Sequence, residues 1–181
     1  LLLSPTASGK SLIIYMLVRW YSEKTLIIVP TTSLVHQLVS DFGDYGWDAD
    51  NHCHKVMAGL DKVSDKQVIV STWQSIYKLH PVWFQDFGCI FGDEVHGFKS
   101  KSLSSIMNKA KYAEYRFGTT GTLDGTQVLQ LVLEGLFGPV KQVTTTHELQ
   151  KSDTLAPLDI DIILLEYDNE LCLLTDGRTY Q

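Results

Sequence analysis

The stretch Leu1-Leu2-Leu3-Ser4-Pro5-Thr6-Ala7-Ser8-Gly9-Lys10-Ser11 decides the fold, because an apolar run leads into a short polar loop and then into a segment of helical length. A bound phosphate chain needs backbone N–H donors, a residue without a Cβ for close approach, the N-terminus of a helix and a mobile cation. Gly9, the helix that begins near Lys10, and the Lys10 ammonium meet these needs. The stretch therefore predicts a buried strand, a phosphate-binding loop and a helix.

The residues of this loop are predicted to share the contacts to a nucleotide. The Ser11 hydroxyl suits Mg²⁺, which prefers oxygen ligands. The predicted nucleotide-binding residues are Thr6, Ala7, Ser8, Gly9, Lys10 and Ser11. The first glycine of the general G-x-x-x-x-G-K-[ST] pattern is Ser4 here, so the match is incomplete. An ordinary turn that caps a helix is the alternative interpretation.

Further apolar runs alternate with helix-length segments along the chain. The predicted strands are Leu1–Leu3, Leu26–Val29, Val68–Ser71, Cys89–Phe91 and Arg116–Thr119. The predicted helices are Lys10–Tyr21, Ser33–Phe42, Trp73–Leu79, Leu103–Ala110 and Thr126–Leu133. This alternation predicts an α/β fold, with a mainly parallel sheet and helices on both faces. The first helix is apolar almost all round, which predicts that it is buried against the sheet.

Two adjacent carboxylates, Asp93 and Glu94, follow the predicted strand Cys89–Phe91. Open α/β sheets form their ligand crevice at this end of the strands. Asp93 can hold Mg²⁺ through water, while Glu94 can orient or deprotonate an attacking water. Gly92 interrupts the apolar run before the pair. A solvated loop is the alternative interpretation of the pair when it is taken alone.

Composition limits the classes of protein that the chain can represent. Its 181 residues suit one domain with a short extension, and 44% hydrophobic with 20% charged residues is typical of a folded core. The net charge of −6 argues against a broad basic face for nucleic acid, so any such contact must be local. Neither a membrane-spanning apolar run nor a secretory signal is present, which predicts a soluble protein. The first residue, Leu1, suggests a cut into a longer protein.

The cysteines Cys53, Cys89 and Cys172 are widely spaced and odd in number, which favours reduced thiols in a cytoplasm. The run His52-Cys53-His54 could contribute metal ligands, but no second cluster supplies the rest of a tetrahedral site. A strand with alternating exposure explains the same residues. No metal site is predicted there.

Five segments of the sequence carry a resemblance to a known family. They are Ser4–Ser11, Val29–Gln37, Ser71–Gln74, Asp93–His96 and Gly118–Thr122. In this order they resemble motifs I, Ia, Ib, II and III of superfamily 2 helicases, and the resemblance covers nearly the whole chain. It implies a RecA-like P-loop NTPase domain, ATP and Mg²⁺ as cofactors, and DNA, branched or double-stranded, as a partner.

The resemblance also implies roles for individual residues. Lys10 and Ser11 would serve ATP and Mg²⁺, Asp93 would hold the metal and Glu94 would act on the hydrolytic water, so the catalytic set is Glu94, Asp93 and Lys10. The residues expected to couple this site to the DNA path are His96, Thr119, Thr120, Gly121 and Thr122. The residues expected near nucleic acid are Pro30, Thr31, Thr32, Ser71, Thr72, Trp73 and Gln74.

Structural alternatives stay open for three of these positions. His96 can be a histidine that serves only in a structural hydrogen bond, because histidine is intermediate in burial. Trp73 can belong to the core rather than stack on a base. Thr31 and Thr32 can cap the helix that follows them, since hydroxyl residues are strong N-caps.

The chain is predicted to contain more than one unit. Residues 1–150 are expected to form an N-terminally truncated first motor domain, and residues 151–181 a linker and the start of a second one. After Phe137-Gly138-Pro139 the pattern changes to a segment Val140–Thr144, a short helix Thr145–Gln150 and an alternating strand Asp159–Tyr167. The second domain would therefore be largely missing from this sequence.

The function implied is that of an ATP-dependent DNA helicase or translocase that couples hydrolysis to unwinding or branch migration, in the cytoplasm. The arginines Arg19, Arg116 and Arg178 do not lie in a recognisable finger motif, so the missing second domain is expected to supply a finger. One alternative is the motor subunit of a restriction system. Another is an ATP-dependent DNA-binding module that does not hydrolyse ATP.

Overall fold

A parallel sheet forms the centre of the computed structural model, which describes residues 1–98, 100–123, 127–156 and 162–164, apart from the side chain of Ser100. The strands in these residues are β1 (Leu2–Leu3), β2 (Thr25–Val29), β3 (Cys53–Val56), β4 (Val68–Thr72), β5 (Cys89–Gly92), β6 (Tyr115–Thr120) and β7 (Lys141–Gln142). Their order is β3-β4-β2-β5-β6-β1-β7, and each neighbouring pair is parallel. The carboxyl ends of the strands therefore share one edge, which we call the carboxyl edge.

Helices connect the strands and cover both faces of the sheet. The helices of the described residues are α1 (Lys10–Tyr21), α2 (Thr32–Asp44), α3 (Ala49–His52), α4 (Trp73–Ile76), α5 (Ser100–Lys109), α6 (Gln127–Phe137) and α7 (Thr146–Lys151). Two 3₁₀ turns, Pro81–Phe84 and Val95–Gly97, complete these connections. The fold is the α/β arrangement that the sequence predicts, with a parallel sheet between two layers of helices.

Alternate residues of the central strand β2 point into two separate cores. Leu26 and Ile28 belong to a core that α5 and α6 cover, whereas Ile27 and Val29 belong to one that α1 and α2 cover. All five residues of β2 are buried. A strand between two helical layers is expected to be apolar on both faces, which explains why its sequence is a continuous apolar run.

Most differences from the predicted elements concern where the elements end. The helix predicted for Trp73–Leu79 ends at Ile76, and the one predicted to end at Leu133 continues to Phe137. The strand proposed around Cys53 is present as β3. The sequence analysis did not predict β7, which lies within the segment Val140–Thr144 and pairs with β1 at the edge of the sheet. Two residues are too few to show the alternation by which strands are recognised.

The helix α1 lies against the sheet as predicted, but its apolar surface is buried on one side only. Ile14 and Val18 are fully buried against the sheet, but Leu12, Met16 and Trp20 are 42%, 61% and 82% exposed. These three residues are four positions apart and so lie on one side of the helix. The helix packs on one face of the sheet, so the described residues cover only the side of the helix that contacts the sheet.

The predicted strand Asp159–Tyr167 lies outside the described residues except at positions 162–164, which have no regular secondary structure. The short helix predicted for Thr145–Gln150 is present as α7, and Thr145 caps it through the backbone N–H of Glu148. None of the described helices is long and apolar enough to cross a membrane.

Candidate functional site

The phosphate-binding loop and the acidic pair meet at the carboxyl edge of the sheet. The loop follows β1 and the pair follows β5, with β6 between these two strands. Both face a cavity of about 480 Å³, whose lining includes Lys10, Asp93 and Glu94. The loop residues Thr6, Ala7, Gly9 and Ser11 also line it. The phosphate-binding loop and the acidic pair therefore meet at one cavity, as the sequence predicts.

Hydrogen bonds within the loop account for Ser4 at the position where the general pattern has glycine. Ser8 Oγ donates to the Pro5 carbonyl at 2.6 Å, so the Ser4 hydroxyl must be the donor in its 2.6 Å bond with Ser8 Oγ. Ala7 and Gly9 both have left-handed backbone conformations, with φ of 62° and 81°. The Ser4 side chain is thus part of the closed loop, and its own N–H donates to the Thr120 carbonyl at 2.9 Å.

Lys10 is held at the acidic pair. Its Nζ lies 3.0 Å from Glu94 Oε1 and donates to the carbonyls of Ser4 and Pro5 at 3.3 Å. The lysine side chain is 11% exposed and that of Glu94 is 25% exposed. A phosphate could replace these partners, because an ammonium on a flexible stem can turn toward a nearby anion.

Asp93 is the buried member of the acidic pair. Its Oδ1 accepts a 2.5 Å hydrogen bond from Thr119 Oγ1 and a 3.1 Å bond from the Glu94 N–H. Burial raises the pKa of Asp93 above its ordinary value, and the nearby Glu94 charge raises it further, against the lowering effects of Thr119 and Lys10. A divalent cation would favour the charged carboxylate. Together with Ser11, Asp93 offers the oxygen ligands that Mg²⁺ prefers.

Glu94 has a left-handed backbone conformation, with φ of 50° and ψ of 48°. A residue other than glycine is uncommon there, and such residues are often found at functional sites. Its Oε2 accepts a hydrogen bond from the Gly121 N–H at 3.2 Å. Both carboxylate oxygens are therefore held, one by Lys10 and the other by the segment after β6.

His96 connects Glu94 to Thr120, the last residue of β6. Its Nδ1 lies 2.7 Å from Thr120 Oγ1 and 3.4 Å from Glu94 Oε2. Thr120 Oγ1 donates its own hydrogen to the Thr122 carbonyl at 2.8 Å, so the proton between His96 and Thr120 must be on Nδ1. All five residues predicted to couple the site to the DNA path are brought together here. The structure also confirms that His96 makes a structural hydrogen bond, and both roles can coexist.

The sequence analysis missed the contribution of α2 to this cavity. Gln37 and Asp41 line the cavity beside Leu34 and Leu38. They are four residues apart on one helix, and this spacing is the signal that could have revealed them. Tyr45 was missed as well, and its hydroxyl lies 2.8 Å from Ser11 Oγ. The predicted ligand of Mg²⁺ is therefore hydrogen-bonded to a tyrosine in this structure.

Of the two segments expected near nucleic acid, Pro30–Thr32 follows β2, and Ser71–Gln74 begins in the last two residues of β4, the neighbour of β2 in the sheet. Gln74 Nε2 donates to the Pro30 carbonyl at 3.5 Å and so connects the two segments. Pro30 is partly buried, whereas Thr31, Thr32 and Gln74 are exposed. These residues lie at the carboxyl edge, which the acidic pair after β5 shares.

Other residues of these segments are less available to nucleic acid. Ser71 is fully buried and donates to the Val56 carbonyl, and Thr72 is 4% exposed, with its hydroxyl bonded to Ser75. Trp73 is partly buried against the core, as the alternative interpretation proposed. Thr31 accepts a hydrogen bond from the Leu34 N–H, so the capping alternative is confirmed for that residue.

The residues around Cys53 have partners of their own. His52 stacks on Trp47 at 4.8 Å, and a His54 ring nitrogen hydrogen-bonds to the Asp61 carbonyl at 2.9 Å. Burial raises the pKa of the Cys53 thiol to about 12. Metals bind the thiolate rather than the thiol, so this environment opposes metal binding. The strand interpretation therefore accounts for these residues.

The chain belongs to the family described as "Type III restriction enzyme, res subunit", whose model matches residues 1–125, and it is a superfamily 2 helicase domain of the RecA-like fold. It is 38% identical over 187 residues to the ATP-dependent DNA helicase uvsW of Enterobacteria phage T4, across 98% of this chain and 37% of that protein. It is 28% identical to the DNA 3'-5' translocase XPB2 of Sulfurisphaera tokodaii, across 80% of this chain and 32% of the translocase.

The similarity to uvsW is also found in three dimensions. The crystal structure of the UvsW helicase from bacteriophage T4 has a TM-score of 0.71 and 38% identity, over 78% of this chain and 53% of that chain. The present chain spans only about a third of the length of the two curated relatives, 37% and 32% respectively. The activity of a whole protein that contains this domain is therefore a proposal.

Proposed function

We propose that this chain is the nucleotide-binding motor domain of an ATP-dependent DNA helicase or translocase. The observation that supports this most directly is the 3.0 Å contact of Lys10 Nζ with Glu94 Oε1 inside the cavity that Asp93 also lines. A cation, a metal-binding carboxylate and a second carboxylate for water are the groups that phosphoryl transfer to water requires. The relatives named as DNA helicase and DNA translocase support the choice of DNA.

Binding of ATP would begin at the loop. The N–H groups at the start of α1 point toward the phosphates, and Lys10 exchanges its contacts with Glu94, Ser4 and Pro5 for phosphate oxygens. Ser11 leaves Tyr45 to face the metal. Ser11 and Asp93 would hold Mg²⁺, which would supply positive charge against the negative charge that develops on the phosphate. Thr119 would keep the Asp93 carboxylate oriented.

Glu94 would then act on the attacking water. Once Lys10 has moved to the phosphates, Glu94 Oε1 becomes free to accept a hydrogen bond or a proton from water. Its other oxygen stays on the Gly121 N–H, which fixes the direction of the carboxylate. One carboxylate oxygen of Glu94 therefore changes its partner during each cycle of hydrolysis, while the other stays bonded to the Gly121 N–H.

Movement would be transmitted through the end of β6 and the two residues that follow it. His96 contacts Thr120, and the Thr120 carbonyl accepts the hydrogen bond of the Ser4 N–H at the loop. Residues Thr119 to Thr122 thus contact the metal-binding carboxylate, the water-activating carboxylate and the phosphate loop. We propose that residues 1–150 act as the first motor domain and that this segment couples hydrolysis to unwinding or branch migration.

A second candidate is the motor subunit of a restriction system. The description of the matching family favours it, because that description names a restriction enzyme subunit. The identity of 38% across nearly the whole chain to a phage DNA helicase favours the first candidate. A nuclease or methyltransferase domain in the complete reading frame would decide for the restriction enzyme.

The test uses Lys10→Ala in the complete protein that contains this domain. We expect ATP·Mg²⁺ binding and DNA-stimulated ATP hydrolysis to be lost, because the cation that approaches the phosphates is removed. Binding of a fluorescent ATP analogue and release of phosphate measure the two effects.

Lys151→Ala is the matched control for this test, since Lys151 is exposed at the end of α7 and does not line the cavity. It should leave both quantities unchanged. If the Lys10→Ala protein binds and hydrolyses ATP like the unaltered protein, the proposed site is wrong.

A further inference from the structure

A second cavity lies on the face of the sheet that α5 and α6 cover, away from the nucleotide site. Its volume is about 860 Å³, and it is bounded by α5, the turn Pro81–Phe84 and Val132 of α6. None of the residues that line it belongs to the phosphate loop or the acidic pair. We call it the α5 groove.

One side of α5 supplies a row of polar side chains to this groove. Lys101, Ser104, Ser105 and Asn108 line it, and Lys111 and Tyr112 continue the row just beyond the helix. The spacing of three or four residues places them along a single side of the helix. At 1.5 Å per residue the helical part of the row, from Lys101 to Lys109, is about 12 Å long. The groove thus presents a line of hydrogen-bond donors rather than a single point.

The lining of the α5 groove is positively charged in a chain that is negative overall. The groove's lining among the described residues contains Lys101, Lys109 and Lys111 and no carboxylate, whereas the chain carries a net charge of −6. Lys109 is fixed by the carbonyls of Tyr77 and Leu79, and Lys101 and Lys111 are exposed. Among the described residues, the ion pairs within 4.0 Å do not involve these lysines. Their charge is therefore available to an anionic partner.

The chemistry of the row fits a sugar-phosphate backbone. Lysine, serine, asparagine and tyrosine are among the side chains that contact phosphate oxygens in protein–DNA complexes. One strand of duplex DNA carries a phosphate about every 3.4 Å along the axis, so a row of about 12 Å matches roughly three to four phosphates. Single strands are usually bound by several aromatic rings that stack on bases, and Tyr112 is the sole aromatic residue in the lining. The observations favour a duplex over a single strand.

We infer that the α5 groove binds the phosphate backbone of a DNA duplex, as a contact additional to the carboxyl edge. The inference rests on the proposed function, because it takes DNA as the partner. Along the chain, α5 follows Glu94 after the turn Val95–Gly97. A duplex arm in the groove would lie against the helix that follows the acidic pair.

The test measures binding of a duplex by the complete protein without nucleotide, as a function of salt. The double variant Lys101→Ala with Lys111→Ala removes two phosphate contacts. Each contact contributes about 0.9 to the slope of log K against log salt, so the slope should become less steep by about 2. Lys141→Ala with Lys151→Ala is the matched control, because both residues are exposed and lie outside the groove. It should keep the original slope.

Two further measurements separate this inference from the proposed function. ATP hydrolysis without DNA should be unchanged in the double variant, because neither lysine lines the nucleotide cavity. Failure of the proposed function would instead appear as absent hydrolysis in the unaltered protein. An unchanged slope overturns the groove inference, and so does a complete protein that binds no duplex. The groove inference is also overturned if the double variant loses binding to polyglutamate but keeps its binding to duplex DNA. The partner of the groove would then be an acidic protein segment.

Discussion

Glu94 combines an uncommon backbone conformation with two opposed contacts. Its left-handed backbone turns the chain after Asp93, so the two adjacent carboxylates would serve a metal and a water from different directions. In this structure Lys10 occupies the oxygen that would act on water. A nucleotide that attracts Lys10 would therefore also free Glu94, and the proposed site would thereby link nucleotide binding to the activation of water.

The substitution Glu94→Gln tests this link. We expect hydrolysis to fall by at least about 10²-fold, the usual contribution of a general base. Nucleotide binding should be equal or tighter, because Lys10 no longer has to leave a charged partner. Single-turnover phosphate release and the Kd of ATP·Mg²⁺ measure the two effects.

Glu114→Gln provides the matched control for that comparison, since Glu114 is exposed and lies outside the nucleotide cavity. Normal turnover in the Glu94→Gln protein would show that another group activates the water.

At the scale of elements, Gly92 and Gly118 explain how α6 fits against the sheet. The two glycines are partners across β5 and β6. A Cβ at Gly92 would lie 2.6 Å from Val95 Cγ1 and 3.2 Å from the Phe137 ring, and one at Gly118 would lie 2.9 Å from the same ring. The glycine before the acidic pair is therefore required by packing, although in the sequence it looks like an interruption of a strand.

We predict that Gly92→Ala lowers the free energy of unfolding by about 1–3 kcal/mol, as overpacking usually does. Hydrolysis should fall too, because Val95 directly follows Glu94 and must shift. Denaturant unfolding and ATP turnover are the measurements.

Gly43→Ala is a suitable control for this prediction. Gly43 lies in α2 with open space around it, so the change should raise stability by up to about 1 kcal/mol through helix propensity. Equal effects of the two substitutions would contradict the packing explanation.

For the molecule as a whole, the arginine finger expected at the nucleotide cavity is not supplied by the described residues. Arg116 donates to the carbonyls of Ala110 and Ala113 at the start of β6, and Arg19 lies over Trp47 at 5.2 Å. Neither lines the nucleotide cavity. Arg178 lies outside the described residues.

We therefore predict that this chain alone hydrolyses ATP at least about 10³-fold more slowly than a longer chain that includes the second domain, the lower range for an arginine finger. DNA-stimulated phosphate release from the two proteins measures the difference. Arg19→Ala in the longer chain should not reduce turnover. Equal turnover of the two chains would refute a finger supplied by the second domain.

The sequence predicted the parts of this molecule whose signals are local. The loop from Ser4 to Ser11, the pair Asp93 and Glu94, and the buried strands each carry their signal within a few neighbouring residues. The Ser11–Tyr45 bond joins residues 34 positions apart, so it depends on how α1 and α2 pack. The exposure of Met16 and Trp20 likewise depends on what covers the outer side of α1, which the composition of the helix alone does not reveal.

The neighbouring threonines of β6 point to opposite sides of their strand. Thr119 reaches Asp93, and Thr120 reaches His96. Deleting one residue between Tyr115 and Gly118 would invert this arrangement, because side chains alternate along a strand. Exchange of either threonine for serine keeps a hydroxyl in place, whereas a deletion turns both hydroxyls away from their partners. The number of residues in this strand is thus as tightly constrained as their identity.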